Sequence, residues 1–179
     1  MGNPKMGNLK NNWESEIVNT SFEKTTGNDT WLTPKFIFDA LNCEFDLDPC
    51  HIENPPFKTA KKWYTKEMDG LKQDWGGLVW CNPPYGKETK IWLEKCAEHN
   101  NCIVLIFNRM DTGYWHDIIF KQASAIKILK GRLKFLDASG TASKNPAGVG
   151  NILISFGKKA KEILRDSAIQ GKFIELEME

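Results

Sequence analysis

Asn82-Pro83-Pro84-Tyr85 is the stretch of this sequence with the clearest chemistry. Proline fixes its own φ and has no N–H. The residue before a proline is pushed out of the helical region. Asn82 and Pro83 both precede a proline, so this turn stays extended and its carbonyls lack local amide partners. The product is a stiff shelf of acceptors, the Asn82 side-chain oxygen and the Pro83 carbonyl, beside the flat ring of Tyr85. Such a shelf suits a planar molecule that bears an NH2 group. It also addresses a chemical problem. An exocyclic amine on a heteroaromatic ring gives its lone pair to the ring and is a poor nucleophile. Acceptors placed for a pyramidal nitrogen favour the geometry in which that lone pair is free, so they act more strongly in the transition state. No metal, cysteine nucleophile or strong base is required.

The elements around this turn must hold it rigidly. The apolar run 77–81 predicts a buried strand that ends directly in it. Asn54-Pro55-Pro56-Phe57 has almost the same letters, but no apolar run precedes it, and we read it as loop. Upstream, Thr33 can cap a helix and Pro34 can fill its first position. Phe36, Ile37, Ala40 and Leu41 then fall at helical spacing. Phe45-Asp46-Leu47-Asp48 alternates like a short strand, and Pro49 stops it. Residues 51–76 read as irregular. Further strands are expected over 102–107, 125–129, 133–136 and 151–156, and helices over 88–99, 114–120 and 158–168. Strands alternating with helices imply an α/β fold, a mostly parallel central sheet flanked by helices. Ligands of such sheets sit beyond the carboxyl ends of strands, where both Asp48 and Asn82 fall.

Composition narrows the function classes. The 179 residues suit one domain. Residues 1–28 are polar and aperiodic and read as a flexible N-terminal extension, leaving 29–179 as a single domain. Lys plus Arg is 24 against 23 Asp plus Glu, a net charge of +1. That balance argues against a polybasic coating protein and against an acidic disordered tail. No run approaches the ~18 apolar residues needed to cross a bilayer. No apolar core follows the first lysines, so no secretory signal is expected. The cysteines at 43, 50, 81, 96 and 102 are odd in number with no CxxC, and reduced thiols are expected. Cys50 beside His51 invites a metal, but no second Cys/His pair lies at ligand spacing, and none is expected.

The ordered set of motifs resembles the short phage-type DNA N6-adenine methyltransferases, the Dam-like group that uses S-adenosylmethionine. The likeness runs from about Thr30 to Phe156. It is carried by Trp31-Leu32-Thr33-Pro34, by 45–50, by Asp69-Gly70-Leu71 and by Val79 to Tyr85. Arg109-Met110-Asp111-Thr112 with Trp115, and Gly131-Arg132-Leu133-Lys134-Phe135, complete it. The resemblance implies a Rossmann-like methyltransferase fold. It implies Asn82, Pro83, Pro84 and Tyr85 as the catalytic motif, acting on an adenine flipped from double-stranded DNA. Thr33 and Pro34 match the opening donor-binding segment, and Asp48 and Pro49 the end of the first donor-binding strand. Trp31 is expected as a donor-pocket wall and Asp69 as a contact to the donor's adenosine. Many relatives in the wider superfamily follow the aspartate-proline pair with a glycine-rich turn. This chain has Cys50-His51-Ile52-Glu53 there, which leaves open how the donor's methionine end is held.

DNA contact must come from local patches. From Lys121 to Lys134 five basic residues occur without an acid, and Lys130 and Lys134 are expected on phosphates. Arg109 and Arg132 are expected to read bases, because the arginine fork matches the guanine edge. Residues 137–150 read as a loop that could order on DNA. No separate target-recognition domain fits in this length, so the recognised site should be short, and the resemblance suggests a palindrome such as GATC. The resemblance also implies a phage or prophage enzyme modifying DNA in the bacterial cytoplasm, in the manner of restriction-modification systems. The acceptor shelf would equally serve cytosine N4, an RNA base or a protein glutamine, and a non-catalytic DNA-binding module could retain the same fold. The oligomeric state stays open.

Overall fold

The computed structural model describes residues 31–177. The extension expected over 1–28 lies outside them. Seven strands form one sheet in the order β2-β1-β3-β4-β6-β5-β7. They are β1 (Leu47–Asp48), β2 (Lys62–Trp63), β3 (Val79–Cys81), β4 (Cys102–Phe107), β5 (Ala125–Leu129), β6 (Asn151–Phe156) and β7 (Gly171–Glu175). The helices are α1 (Lys35–Leu41), α2 (Thr89–His99), α3 (Phe120–Gln122) and α4 (Lys158–Asp166), with a π-helical stretch at Trp115–Ile119 leading into α3.

The fold is mixed α/β, but the sheet corrects the expectation of a mostly parallel one. Three pairings are parallel, β1 with β2, β1 with β3 and β3 with β4. The other three, β4 with β6, β5 with β6 and β5 with β7, are antiparallel and longer. The cause is the return of β6 between β4 and β5. Strands β1 to β5 still point one way, and only β6 and β7 are reversed. The carboxyl ends of β1, β3, β4 and β5 therefore share one edge.

Period-two alternation sorts the strand side chains to two faces. Val79, Cys81, Val104 and Ile106 pack with Trp92, Leu93 and Cys96 of α2 and with Trp115 and Ile119. Leu78, Trp80, Ile103 and Leu105 pack with Ile37 and Leu41 of α1 and with Ala160 and Leu164 of α4. The layers are thus helix, sheet, helix. Among the described residues no helix is long and apolar enough to cross a membrane.

Two local expectations change. Pro34, with ψ at 140°, is the residue before α1 and not its first helical residue, so Thr33 lies outside the capping position. Residues 133–136 do not join the sheet. Leu136 exchanges both backbone hydrogen bonds with Leu32 at 2.8 Å, and Ser143 N–H donates to the Phe135 carbonyl. The segment is extended but paired with loops.

Candidate active site

The strand order reverses between β1 and β3, because β2 lies on the outer side of β1 and β4 beyond β3. Such a switch point is where open α/β sheets leave a crevice. Asp48 ends β1 on one side of it, and Asn82 follows β3 on the other.

Asp48 is 3 % exposed. Its carboxylate accepts the Thr59 hydroxyl at 2.7 Å and the Cys50 amide at 3.2 Å. His51 Nδ1 faces it at 3.7 Å. Burial pushes the Asp48 carboxyl above the usual range, and His51, Thr59 and Cys50 each act against that. The Cys50 thiol donates to the Asn82 carbonyl at 3.2 Å and lies 3.7 Å from the Cys81 sulfur, so it ties the two strand ends together. Burial pushes the Cys50 and Cys81 thiols well up. They stay protonated and are poor nucleophiles.

Asn82 is held from two directions. Its Nδ2 donates to the Trp31 carbonyl at 2.8 Å, and its Oδ1 accepts the Tyr85 hydroxyl at 3.1 Å. An amide oxygen has two acceptor positions, so one remains open on Oδ1. The Pro84 carbonyl is taken by the Thr89 hydroxyl at 3.0 Å. Among the described residues no donor reaches the Pro83 carbonyl. Tyr85 stacks on Phe107 with ring centroids 4.0 Å apart and meets Phe135 edge-on. The expected shelf is therefore part-occupied: two acceptor positions stay open, and one ring face is covered.

Trp31, Leu32, Thr33, Asp48, Cys50, His51, Thr59, Trp80 and Asn82 line a small, partly enclosed cleft that opens to solvent. Trp31 is 40 % exposed at its mouth, and Thr33 is buried with its hydroxyl unpartnered. A larger, open depression at the end of α1 is lined by Phe38, Asp39, Asn42, Cys43 and Glu44. It lies away from the strand ends. Among the described residues no group of three or more His, Cys, Asp or Glu could hold a metal.

Not every expected site residue reaches the cleft. Pro34 is buried at the start of α1 and Pro49 behind Asp48. Asp69 sits in a turn at φ 52° and pairs with Lys72 at 2.8 Å. Lys72 also lowers the Asp69 carboxyl. The turn itself is near the site, because Gly70 packs on the Pro49 carbonyl so closely that a Cβ there would lie 2.0 Å from it. Lys95 Nζ donates to the carbonyls of Leu71 and Gln73 and holds the turn from α2. Arg109 follows β4, half-buried. Lys130 follows β5 on the same edge. In 132–135, Leu133 and Phe135 point inward while Arg132 and Lys134 are exposed. The pairing of Leu136 with Leu32 draws this basic segment across the edge toward Trp31 and Asn82.

Several residues carried no signal as site residues. Thr59 and Phe107 are ordinary in sequence, and Phe135 shows only as the end of the Gly131-Arg132-Leu133-Lys134-Phe135 stretch. His51 shows only as a neighbour of Cys50 and as part of the stretch that replaces a glycine-rich turn.

The family description DNA N-6-adenine-methyltransferase (Dam) matches residues 20–170, which takes in every strand but β7. No curated protein and no solved structure matches the chain. The span covers Asp48 with its cleft, the Asn82 turn and the basic segment after β5, and on that match the chain belongs to the DNA N-6-adenine-methyltransferase (Dam) family.

Proposed function

We propose that this chain is an S-adenosylmethionine-dependent methyltransferase that acts on adenine N6 at a short site in double-stranded DNA. The observation that carries the reading is the pair of open acceptors at the end of β3, the Pro83 carbonyl and the second position of Asn82 Oδ1, beside Asp48 at the switch point. The parallel run β2-β1-β3-β4 supports treating this half of the sheet as a Rossmann-like binding half. The cleft offers a carboxylate and, in Thr33 and His51, two buried polar side chains without a partner, which fits the charged amino-acid end of the methyl donor.

S-adenosylmethionine, when bound, supplies a methyl group on a positively charged sulfur. The protein's residues do the rest. Asn82 Oδ1 and the Pro83 carbonyl accept the two amino hydrogens of an extruded adenine and favour a pyramidal nitrogen. The Tyr85 hydroxyl and the Trp31 carbonyl fix the Asn82 amide before the base arrives. Tyr85, backed by Phe107, presents its other face to the base. Lys130, Arg132 and Lys134 meet the DNA along the same edge, and Arg109 and Arg132 are the base readers. Trp31, Thr33 and Asp48 line the donor site, with Pro34 and Pro49 shaping it from behind. Residues 29–179 act as one methyltransferase domain in the host bacterial cytoplasm.

The test is transfer of a tritiated methyl group to unmethylated DNA, followed by identification of the modified nucleoside and mapping of the sites. N6-methyladenine is the expected product. Label on cytosine N4, on RNA or on protein would redirect the reading, and no donor binding would overturn it.

A further inference from the structure

We propose that His51 is the residue that holds the donor's amino-acid carboxylate, with Thr33 as its second contact. The inference rests on the reading of the cleft as the donor site. It supplies the hold that the missing glycine-rich turn leaves open.

Two residues lining this one cleft each carry a buried polar atom with no partner. His51 is 7 % exposed and Thr33 is 3 % exposed. His51 Nε2 and Thr33 Oγ1 are both buried without a hydrogen bond. Buried polar side-chain atoms are paired in the large majority of cases, so two orphans beside one cavity point to an absent ligand. Both residues line the cleft together with Asp48.

The histidine ring is fixed in place. Its backbone amide donates to the Tyr64 carbonyl at 3.0 Å. Trp63 packs edge-on at 6.2 Å between ring centroids. Nδ1 is turned to Asp48 at 3.7 Å, which leaves Nε2 as the nitrogen for a ligand. With Nδ1 facing a carboxylate, the ring presents a second N–H at Nε2 when it carries both protons. The ligand chemistry follows from charge. Asp48 repels a carboxylate and attracts an ammonium group. A carboxylate beside that ammonium needs donors, and the Thr33 hydroxyl and His51 Nε2–H are buried there without a partner. The zwitterionic end of an amino acid matches this alternation of charge.

The experiment is calorimetry on the full chain with two probes, S-adenosylhomocysteine and its decarboxylated analogue. The second keeps the ammonium and the adenosine but lacks the carboxylate. The intact protein is expected to prefer the first by about 10- to 100-fold, the range of hydrogen bonds to a charged group. His51→Phe keeps a ring and removes both nitrogens. It should weaken S-adenosylhomocysteine about tenfold or more and leave the analogue within about twofold. His51→Gln, whose amide can reach the Nε2 position, should recover part of the loss. Thr33→Val should show the same selective loss at smaller size. Equal affinity of the intact protein for both probes overturns the inference while leaving the donor site intact. A His51→Phe variant that weakens both probes equally overturns it too, as a purely structural role. A protein that binds neither probe overturns the donor reading itself.

Discussion

The Tyr85 hydroxyl donates to Asn82 Oδ1 across 3.1 Å, and the two rings behind it, Tyr85 and Phe107, stack at 4.0 Å. The aromatic stack thus sets the position of an amide oxygen three residues away in sequence. Burial raises the Tyr85 phenol, so the group stays neutral and keeps its proton for that bond. Asn82→Ala removes the acceptor and should lower kcat by at least about 100-fold, by analogy with loss of one oxyanion-hole donor, with donor affinity unchanged. Tyr85→Phe keeps the stack and loses one neutral hydrogen bond, about 1 kcal/mol, so kcat should fall only several-fold. Near-normal turnover of Asn82→Ala in a single-turnover assay would remove this turn from the chemistry.

Gly70 is where the Asp69-Gly70-Leu71 turn meets the end of β1. A Cβ there would overlap the Pro49 carbonyl, and backbone atoms cannot move aside as a flexible side chain would. Gly70→Ala should therefore destabilise the fold by about 1–3 kcal/mol, the range for overpacking. For a chain of this size that is roughly 2–12 °C in Tm, readable by calorimetry. Pro49 follows Asp48 directly, so donor affinity should fall as well. An unchanged Tm would show that the turn yields easily.

The readable parts of this protein were those with local causes. The strands β3 and β4 show as apolar runs because both their faces are buried, and the Asn82 turn shows because two prolines dictate its backbone. The edge strand β7 carries little signal, since its residues Gly171-Lys172-Phe173-Ile174-Glu175 are mostly exposed and Phe173 alone packs on the core. The two-residue β2 is too short for any period. Strand direction is not legible in the sequence, because the insertion of β6 between β4 and β5 is a matter of adjacency, which periodicity does not encode. Thr33 reads as a helix cap by type, yet Pro34 sets the chain extended there and turns the hydroxyl into the cleft region. Asp69 reads as a ligand contact; its carboxylate pairs with the exposed Lys72, and the following Gly70 packs on Pro49. His51 gains its meaning only from the burial that Trp63 and Tyr64 provide.

Asp48 should act against stability at neutral pH. Its folded-state carboxyl is raised by burial above the unfolded value. Below the unfolded value both states are protonated, and the penalty is absent. As pH rises through the raised folded value, the native carboxyl must ionise without water, and the penalty becomes complete. Asp48→Asn removes the charge while its oxygen can still accept the Cys50 amide. We expect this variant to be as stable as the parent or more so at pH 7, with the gain shrinking toward acidic pH in denaturant titrations. Donor affinity should be lost at the same time, because the ammonium partner is gone. A variant that is less stable at pH 7 and equally so at every pH would show that the hydrogen bonds of Asp48 outweigh its burial.

The basic segment can be divided by its salt dependence. Lys130, Arg132 and Lys134 are exposed on the edge that carries Asn82, and the Leu32–Leu136 pairing fixes their approach. A residue that only neutralises a phosphate releases about one counterion, so its removal lowers the slope of log affinity against log salt by about 0.9. Lys130→Gln and Lys134→Gln should each do this, weakening all DNA sequences alike at low salt. Arg132→Gln should differ in kind if the arginine reads a guanine edge. It should cost about 1–3 kcal/mol on the preferred site and far less on other sequences, so the preference itself collapses. Affinities measured on methylation-site and scrambled duplexes over a salt series separate the two behaviours. A uniform loss for Arg132→Gln would make it a third phosphate contact and leave Arg109 as the remaining base reader. No change in slope for any of the three would take the DNA off this edge altogether.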